Sequence, residues 1–272
     1  MHQALGEWPI RFNDDVARTT SDEPLISAVI ATGGLERYPQ LELTIASLRA
    51  QTDVSFEIIV VELGTESVLD NRLPKDVRHM FVETDIGSDG FNKSWALNVG
   101  ARSARGQYLA IHDGDYLVPT RYLAHCAELL QTFDGVRPAR LIGYLDETSL
   151  HRCRDLRALD DQSTFENLVA NNPTPIVFRT ERYWDIGGHD ESFFGWGGED
   201  VEFLSRARTC SFSDGGMIPI VHAWHPPAPK KASGHRNNDL QAALMSQPSA
   251  DRIQALKSLT LGGNSPQPRV IW

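Results

Sequence analysis

The sequence predicts an α/β protein in which one mostly parallel sheet is covered by helices on both faces. Three observations carry that expectation. Short apolar runs rich in β-branched residues recur, segments of helical spacing separate them, and the runs end in turn-forming residues such as Gly33-Gly34 and Asp113-Gly114-Asp115. Wholly apolar strands alternating with helices mark βαβ units whose sheet is buried on both sides.

Residues 1–23 are polar and mixed and read as a loose arm. "LISAVIA" (25–31) reads as the first strand, and Leu41, Ile45 and Leu48 then repeat at helical spacing. "EIIVVEL" (57–63) and "HMFVET" (79–84) read as strands, and "NKSWALNVGARSA" (92–104) as a helix in which Gly100 permits close packing on the sheet. "QYLAIHD" (107–113) is a further strand, followed beyond Pro119 by the helical "TRYLAHCAELLQTF". "ARLIGYLD" (139–146) reads as a strand, whereas the polar stretch 147–171 shows no period. A strand, a short helix, a Gly-rich loop and a helix opening near Glu199 come next, then the strand "GMIPIVHAWHPPAP" (216–229), stopped by prolines. These divisions give an arm at 1–23, a domain at 24–229 with halves 24–118 and 119–229, and a helical extension and mobile tail at 230–272.

Composition narrows the partners. A formal net charge of −10 without a basic stripe argues against nucleic-acid binding. No apolar run reaches the roughly eighteen residues of a transmembrane helix. The first residues lack a signal peptide's basic start and apolar stretch, and Cys126, Cys153 and Cys210 form no CxxC, so a cytoplasmic location is expected. Association into a homodimer stays open.

Four stretches concentrate chemistry. In "IHDGDYLVP" an apolar strand runs directly into Asp113 and Asp115, at the carboxyl end where open α/β sheets bind ligands. Paired carboxylates there suit Mg²⁺ or Mn²⁺, although Asp and Gly also make plain turns. In "VHAWHPPAP", His222 and His225 can supply a metal ligand or simply pack at a strand end. Phe91, Asn92 and Lys93 precede or open a helix, which makes them either an anion site or an N-cap beside a solvated lysine. "FFGWGGEDVEF" joins a flexible loop (Gly195, Gly197, Gly198), the flat face of Trp196 and the acids Glu199 and Asp200. Sugar rings stack on such a face; a capped helix start with solvent-facing acids is the plain alternative.

In this order the stretches resemble a GT-A glycosyltransferase, over about Leu25 to Pro227. The first half resembles family 2 transferases. "FNKSWALNVGA", "HDGDYLVP", "GGHDESFFGWGGEDVEF" and "VHAWHPP" resemble the galactosyltransferase-type catalytic half. The resemblance implies a sugar-nucleotide donor, UDP-linked by first choice, and Mn²⁺ or Mg²⁺ held by Asp115 and His222, with His225 as the less favoured stand-in. It places Asp113 at the ribose or the metal's water shell and Phe91, Asn92 and Lys93 beside the nucleotide. It gives Trp196, Gly197 and Gly198 to a closing loop, Glu199 to the acceptor hydroxyl, and Asp200 to the general base of an inverting transfer.

Two departures touch the nucleotide base. "ATGGLERYP", which begins at Ala31-Thr32, carries glycines where a Thr-Tyr-Asn-like run is usual, so Thr32 is the remaining candidate for a contact there. "VELG" puts Glu62 where an aspartate pair is usual. The acceptor, whether a small molecule, a peptide or an oligosaccharide, is not legible, and Arg236, Asn237 and Asn238 have no assigned role. A sugar-phosphate nucleotidyltransferase or a non-catalytic carbohydrate-binding protein are the alternatives.

Overall fold

The computed structural model describes residues 1–15, 23–85, 91–226 and 234–267. The expected boundary at 229/230 therefore lies outside the described residues.

The central sheet grows from β1 (Ile26–Thr32), which pairs in parallel with both β2 (Phe56–Gly64) and β4 (Tyr108–His112). β3 (Val77–Glu83) extends it in parallel beyond β2. On the far side β9 (Ile176–Arg179) runs antiparallel to β4 and to the two-residue β6 (Gly135–Val136), and β10 (Phe212–Ser213) closes that edge. The order is β10-β6-β9-β4-β1-β2-β3. The chain leaves β1 toward β2 and β3, then returns to its other side as β4. That reversal opens a crevice beyond the carboxyl ends of β1 and β4, where α/β sheets bind ligands.

Strand side chains alternate between two cores, because successive residues of a strand point to opposite faces. Ile26, Ala28, Ile30, Ile58 and Val60 pack with α2 (Tyr38–Arg49) and α4 (Tyr122–Leu129). Val29, Ile59 and Val61 pack with α3 (Lys93–Ser103), α6 (Thr180–Asp185) and α7 (Glu199–Ala207). Gly100 is the close approach of α3 to the sheet. A Cβ there would lie 2.4 Å from Val29 Cγ1.

A second sheet, absent from the sequence reading, has the order β5-β11-β7-β8. It joins β5 (Tyr116–Leu117), β11 (Ile220–His222), β7 (Leu141–Leu145) and β8 (Phe165–Ala170). The stretch 147–171, which shows no period, folds as α5 (Glu147–Leu156) and β8. The strand expected over 216–229 shrinks to β11, with an isolated bridge at Met217.

Both ends are more firmly held than their composition suggests. The arm is not loose over residues 1–15: α1 (His2–Glu7) precedes a buried Ile10, and Asn13 N donates to Ala46 O at 3.0 Å. At the other end α8 (Gly234–Met245) and α9 (Ser249–Lys257) pack on α7. The Gly-rich end expected to be mobile is instead docked through 267, where Gly262 N and Gln267 N both donate to Glu191. Among the described residues no helix is long and apolar enough to cross a membrane.

Candidate active site

β4 ends at His112, so Asp113 and Asp115 emerge at the crevice. Asp113 Oδ1 lies 2.6 Å from Lys93 Nζ, and Asp113 Oδ2 accepts a hydrogen bond from Thr174 Oγ1 at 2.9 Å. Tyr116 OH, 3.2 Å from Thr174 Oγ1, supports that threonine from behind. Asp113 is thereby engaged by Lys93 and Thr174 and lies outside the group of ligand atoms that Asp115 forms with the histidines.

Asp115 faces the other way. Its Oδ2 accepts from Arg37 Nη1 at 3.1 Å and lies 3.5 Å from Nε2 of both His222 and His225. β11 pairs with β5 and so carries His222 to this point, with His222 opposite Tyr116. The His222 ring stacks on Tyr144 at 4.1 Å. Ala223 N donates to Asp115 O at 2.8 Å, which fixes the backbone that holds both groups. Burial alone would raise the pKa of Asp115. Hydrogen bonds from the two histidines and the charge of Arg37 outweigh it and hold the carboxyl well below the usual carboxylate range.

Asp115, His222 and His225 form a group able to hold a divalent metal, their ligand atoms all within 4.8 Å of one another. Two ligands each about 2.1 Å from one ion lie roughly 3 to 4 Å apart, so the 3.5 Å separations suit a shared ion. His222 Nδ1 is buried without a partner, so Nε2 is the nitrogen turned toward Asp115. His225, expected only as a stand-in, joins His222 in the group.

The opposite wall is the start of α7. Gly198 is its N-cap at φ +91°, a conformation that favours glycine, and a Cβ there would also meet Phe193 at 2.7 Å. The turn aims Glu199 and Asp200 back toward Lys93. Lys93 Nζ donates to both oxygens of Asp200 at 3.0 and 3.2 Å and lies 3.7 Å from Glu199 Oε1. Glu199 is 8% exposed, and its Oε2 has no hydrogen-bond partner. Burial would lower the pKa of Lys93, but Asp113, Asp200 and Glu199 outweigh it and keep the ammonium charged. Burial pushes Asp200 up to about 8. Glu199 and Asp113 add to that rise, while Lys93 opposes it.

The remaining predicted residues divide. Trp196 is 56% exposed on its loop, and Gly197, at φ +99°, borders open space. Phe91 sits beside them, its carbonyl accepting from Gly195 N at 2.9 Å. Asn92 is a buried N-cap: Oδ1 accepts from Trp95 N and Nδ2 donates to Glu191 O. The plain N-cap role of Asn92 is therefore the one the structure displays, whereas Lys93 is an ion-pair hub and not a solvated cation.

Thr32 ends β1, half-buried and opposite Glu62. Glu62 is 1% exposed. Its carboxylate accepts from Val68 N and Ser67 Oγ and lies 2.8 Å from His79 Nε2. The base contact expected of Glu62 would share a carboxylate already engaged by these groups. Sequence reasoning missed Arg37, Thr174 and Tyr144. All three reach the site from elements remote in the chain, and no local pattern signals them.

Comparison with known proteins follows this geometry. The family model described as glycosyl transferase family 2 matches residues 29–197. The validoxylamine A glucosyltransferase of Streptomyces hygroscopicus subsp. jinggangensis (strain 5008) is 28% identical over 261 residues, covering 80% of this chain and 58% of that protein. The chondroitin synthase of Pasteurella multocida (strain Pm70) is 27% identical over 253 residues, covering 76% of this chain and 25% of that protein. The chain thus spans less than two thirds of these curated relatives. The crystal structure of S. aureus TarS 1-349 superposes with a TM-score of 0.53 at 17% identity, over 86% of this chain and 70% of that one. At that identity the likeness is one of fold.

Proposed function

The chain belongs to glycosyl transferase family 2, and we propose that it moves a sugar from a nucleotide-sugar donor, UDP-linked by first choice, to an acceptor hydroxyl with inversion. The observation that carries this reading is the meeting of two groups across one crevice. Asp115, His222 and His225 gather on one side, and Glu199 and Asp200, joined to Asp113 through Lys93, gather on the other.

Asp115, His222 and His225 would hold the metal. Two imidazoles with one carboxylate favour Mn²⁺ over Mg²⁺, which prefers oxygen ligands. When bound, the cation supplies positive charge beside the departing nucleoside diphosphate. Asp200 takes the acceptor proton, as a carboxylate within hydrogen-bond reach of the hydroxyl can. Its raised pKa makes it a stronger base than an ordinary aspartate. Lys93 orients both Asp200 oxygens and keeps the neighbouring carboxylates from repelling one another. Glu199 Oε2, buried and unpartnered, accepts a hydrogen bond from the acceptor. Trp196 offers its exposed face to a sugar ring, as in the galactosyltransferase-type loop that this segment resembles.

The test is a panel of UDP- and GDP-sugars with Mn²⁺, read as release of nucleoside diphosphate. Slow release from at least one donor without acceptor, abolished by chelation, is expected. Pyrophosphate release from a nucleoside triphosphate would establish a nucleotidyltransferase instead, and binding without turnover a carbohydrate-binding protein.

A further inference from the structure

The loop that carries Trp196 is gripped from outside the segment that resembles the family. The family match ends at Gly197, whereas α7, α8 and α9 lie beyond it. Asn237, on the first turns of α8, is 1% exposed, and its Nδ2 donates to Phe194 O at 2.9 Å and Trp196 O at 3.0 Å. One amide therefore bridges the two residues on either side of Gly195. The Asn237 Oδ1 is buried without a partner. Turning the amide over would set that oxygen against two carbonyl oxygens, so the bridge fixes the orientation of the side chain. The backbone of the same residue closes on the loop as well, since a Cβ on Gly198 would lie 3.1 Å from Asn237 O.

α8 packs on α7, and the rest of the extension is firmly held as well. Arg252 Nη1 on α9 donates to Glu202 Oε1 at 2.7 Å, and Glu202 also binds Arg206 in a fully buried pair on α7. A Cβ added at Gly187 would meet Leu256 of α9 at 2.6 Å, so the extension lies tight against the domain. Trp95 Nε1, two residues beyond Lys93 on α3, donates to Gly263 O at 2.9 Å. The extension thus touches both α7 and α3, the two helices that carry Glu199, Asp200 and Lys93.

We infer that Asn237 is a positioning residue: it sets the Trp196 loop and the start of α7, so the C-terminal extension is a working part of the acceptor side of the site. This rests on the glycosyltransferase reading above. Leaving the two carbonyls without their shared donor releases the loop, and small misplacement of a reacting group lowers rate steeply. The metal group is not gripped by Asn237, so donor activation is spared.

The full-length chain carrying Asn237→Ala or Asn237→Asp tests it, with the exposed neighbour Asn238→Ala as control. Four quantities are read: acceptor-dependent transfer, acceptor-free donor hydrolysis, Mn²⁺ affinity, and hydrogen exchange of the amides of residues 195–200. The expected result is a loss of about tenfold or more in kcat/KM for the acceptor, with hydrolysis and Mn²⁺ affinity at the wild-type level and faster loop exchange. Unchanged transfer overturns the inference, as does a loss of transfer, hydrolysis and Mn²⁺ affinity by one common factor. If the wild type releases no nucleoside diphosphate from any donor, it is the glycosyltransferase reading that fails. Loop exchange still decides the grip: faster exchange in the variants supports it, and unchanged exchange overturns it.

Discussion

Two acidic regions of this chain are built in opposite ways. At the end of β2, Glu62 is surrounded by donors: a backbone amide, a hydroxyl and an imidazole all address one carboxylate. At the start of α7, Glu199 and Asp200 share one lysine with Asp113, and Glu199 Oε2 has no partner at all. Glu62 and Glu199 are both buried, so solvent cannot explain the difference between them. A satisfied buried carboxylate stabilises the loop that bonds to it. Like charges gathered in a buried crevice with an unmet acceptor are unfavourable for the fold, and such arrangements concentrate where function requires them.

The comparison is broken most severely at Asp200. Asp200→Asn should lower transfer by about a hundredfold to ten-thousandfold, the usual contribution of a positioned base, while donor binding measured by calorimetry stays near wild type. The pH dependence has a definite sign. The base works only when deprotonated, and burial pushes Asp200 up to about 8. Hence kcat/KM should rise with pH through neutrality and level off above about 8. A profile flat from pH 6 to 9 in the wild type would remove Asp200 from that role.

The opposite wall is broken at its metal group. His222→Ala removes one of three candidate ligands and should weaken Mn²⁺ binding by roughly ten- to a hundredfold. Titration calorimetry with the metal alone measures this, and acceptor-free hydrolysis should fall with it. Unaltered Mn²⁺ affinity would show that Asp115, His222 and His225 do not act as one group.

The smallest effect sharpens the contrast from the other side. Glu62→Gln puts an amide NH₂ where donors converge, and should lower stability by about 1 to 3 kcal/mol. Thermal unfolding would show it, with kcat retained in the folded fraction. Loss of kcat without loss of stability would return Glu62 to the nucleotide site and dissolve the distinction between the two regions.

Much of this was legible in the residues. β1, β2 and β4 announce themselves because buried parallel strands are largely apolar along their length, and α2 and α3 because their apolar residues recur at helical spacing. Asp113 and Asp115 stood out because a strand runs directly into them, and Glu199 and Asp200 because three glycines and an indole precede them. The arm reads as loose because Ile10, its one buried residue among those described, carries no period. The tail was read as mobile because Gly262 and Gln267 are held through backbone amides, which composition does not encode.

The sequence by itself determined the α/β class, the main parallel strands and the identity of the acids and histidines that gather beyond β4. It could do so because these follow from local periodicity and from residue types placed next to one another in the chain. Tertiary structure alone decided how those residues were partnered. Lys93 and Asp200 are 107 positions apart and His222 and Asp115 likewise, so only the return of α7 and β11 to the ends of β4 could bring them together. Tertiary structure also separated Asp113 from the histidines, closed Glu62 within its own loop, and placed Asn237 beneath the loop that carries Trp196. Such pairings depend on which elements share a sheet edge or a helix face, and no stretch of neighbouring residues contains that information.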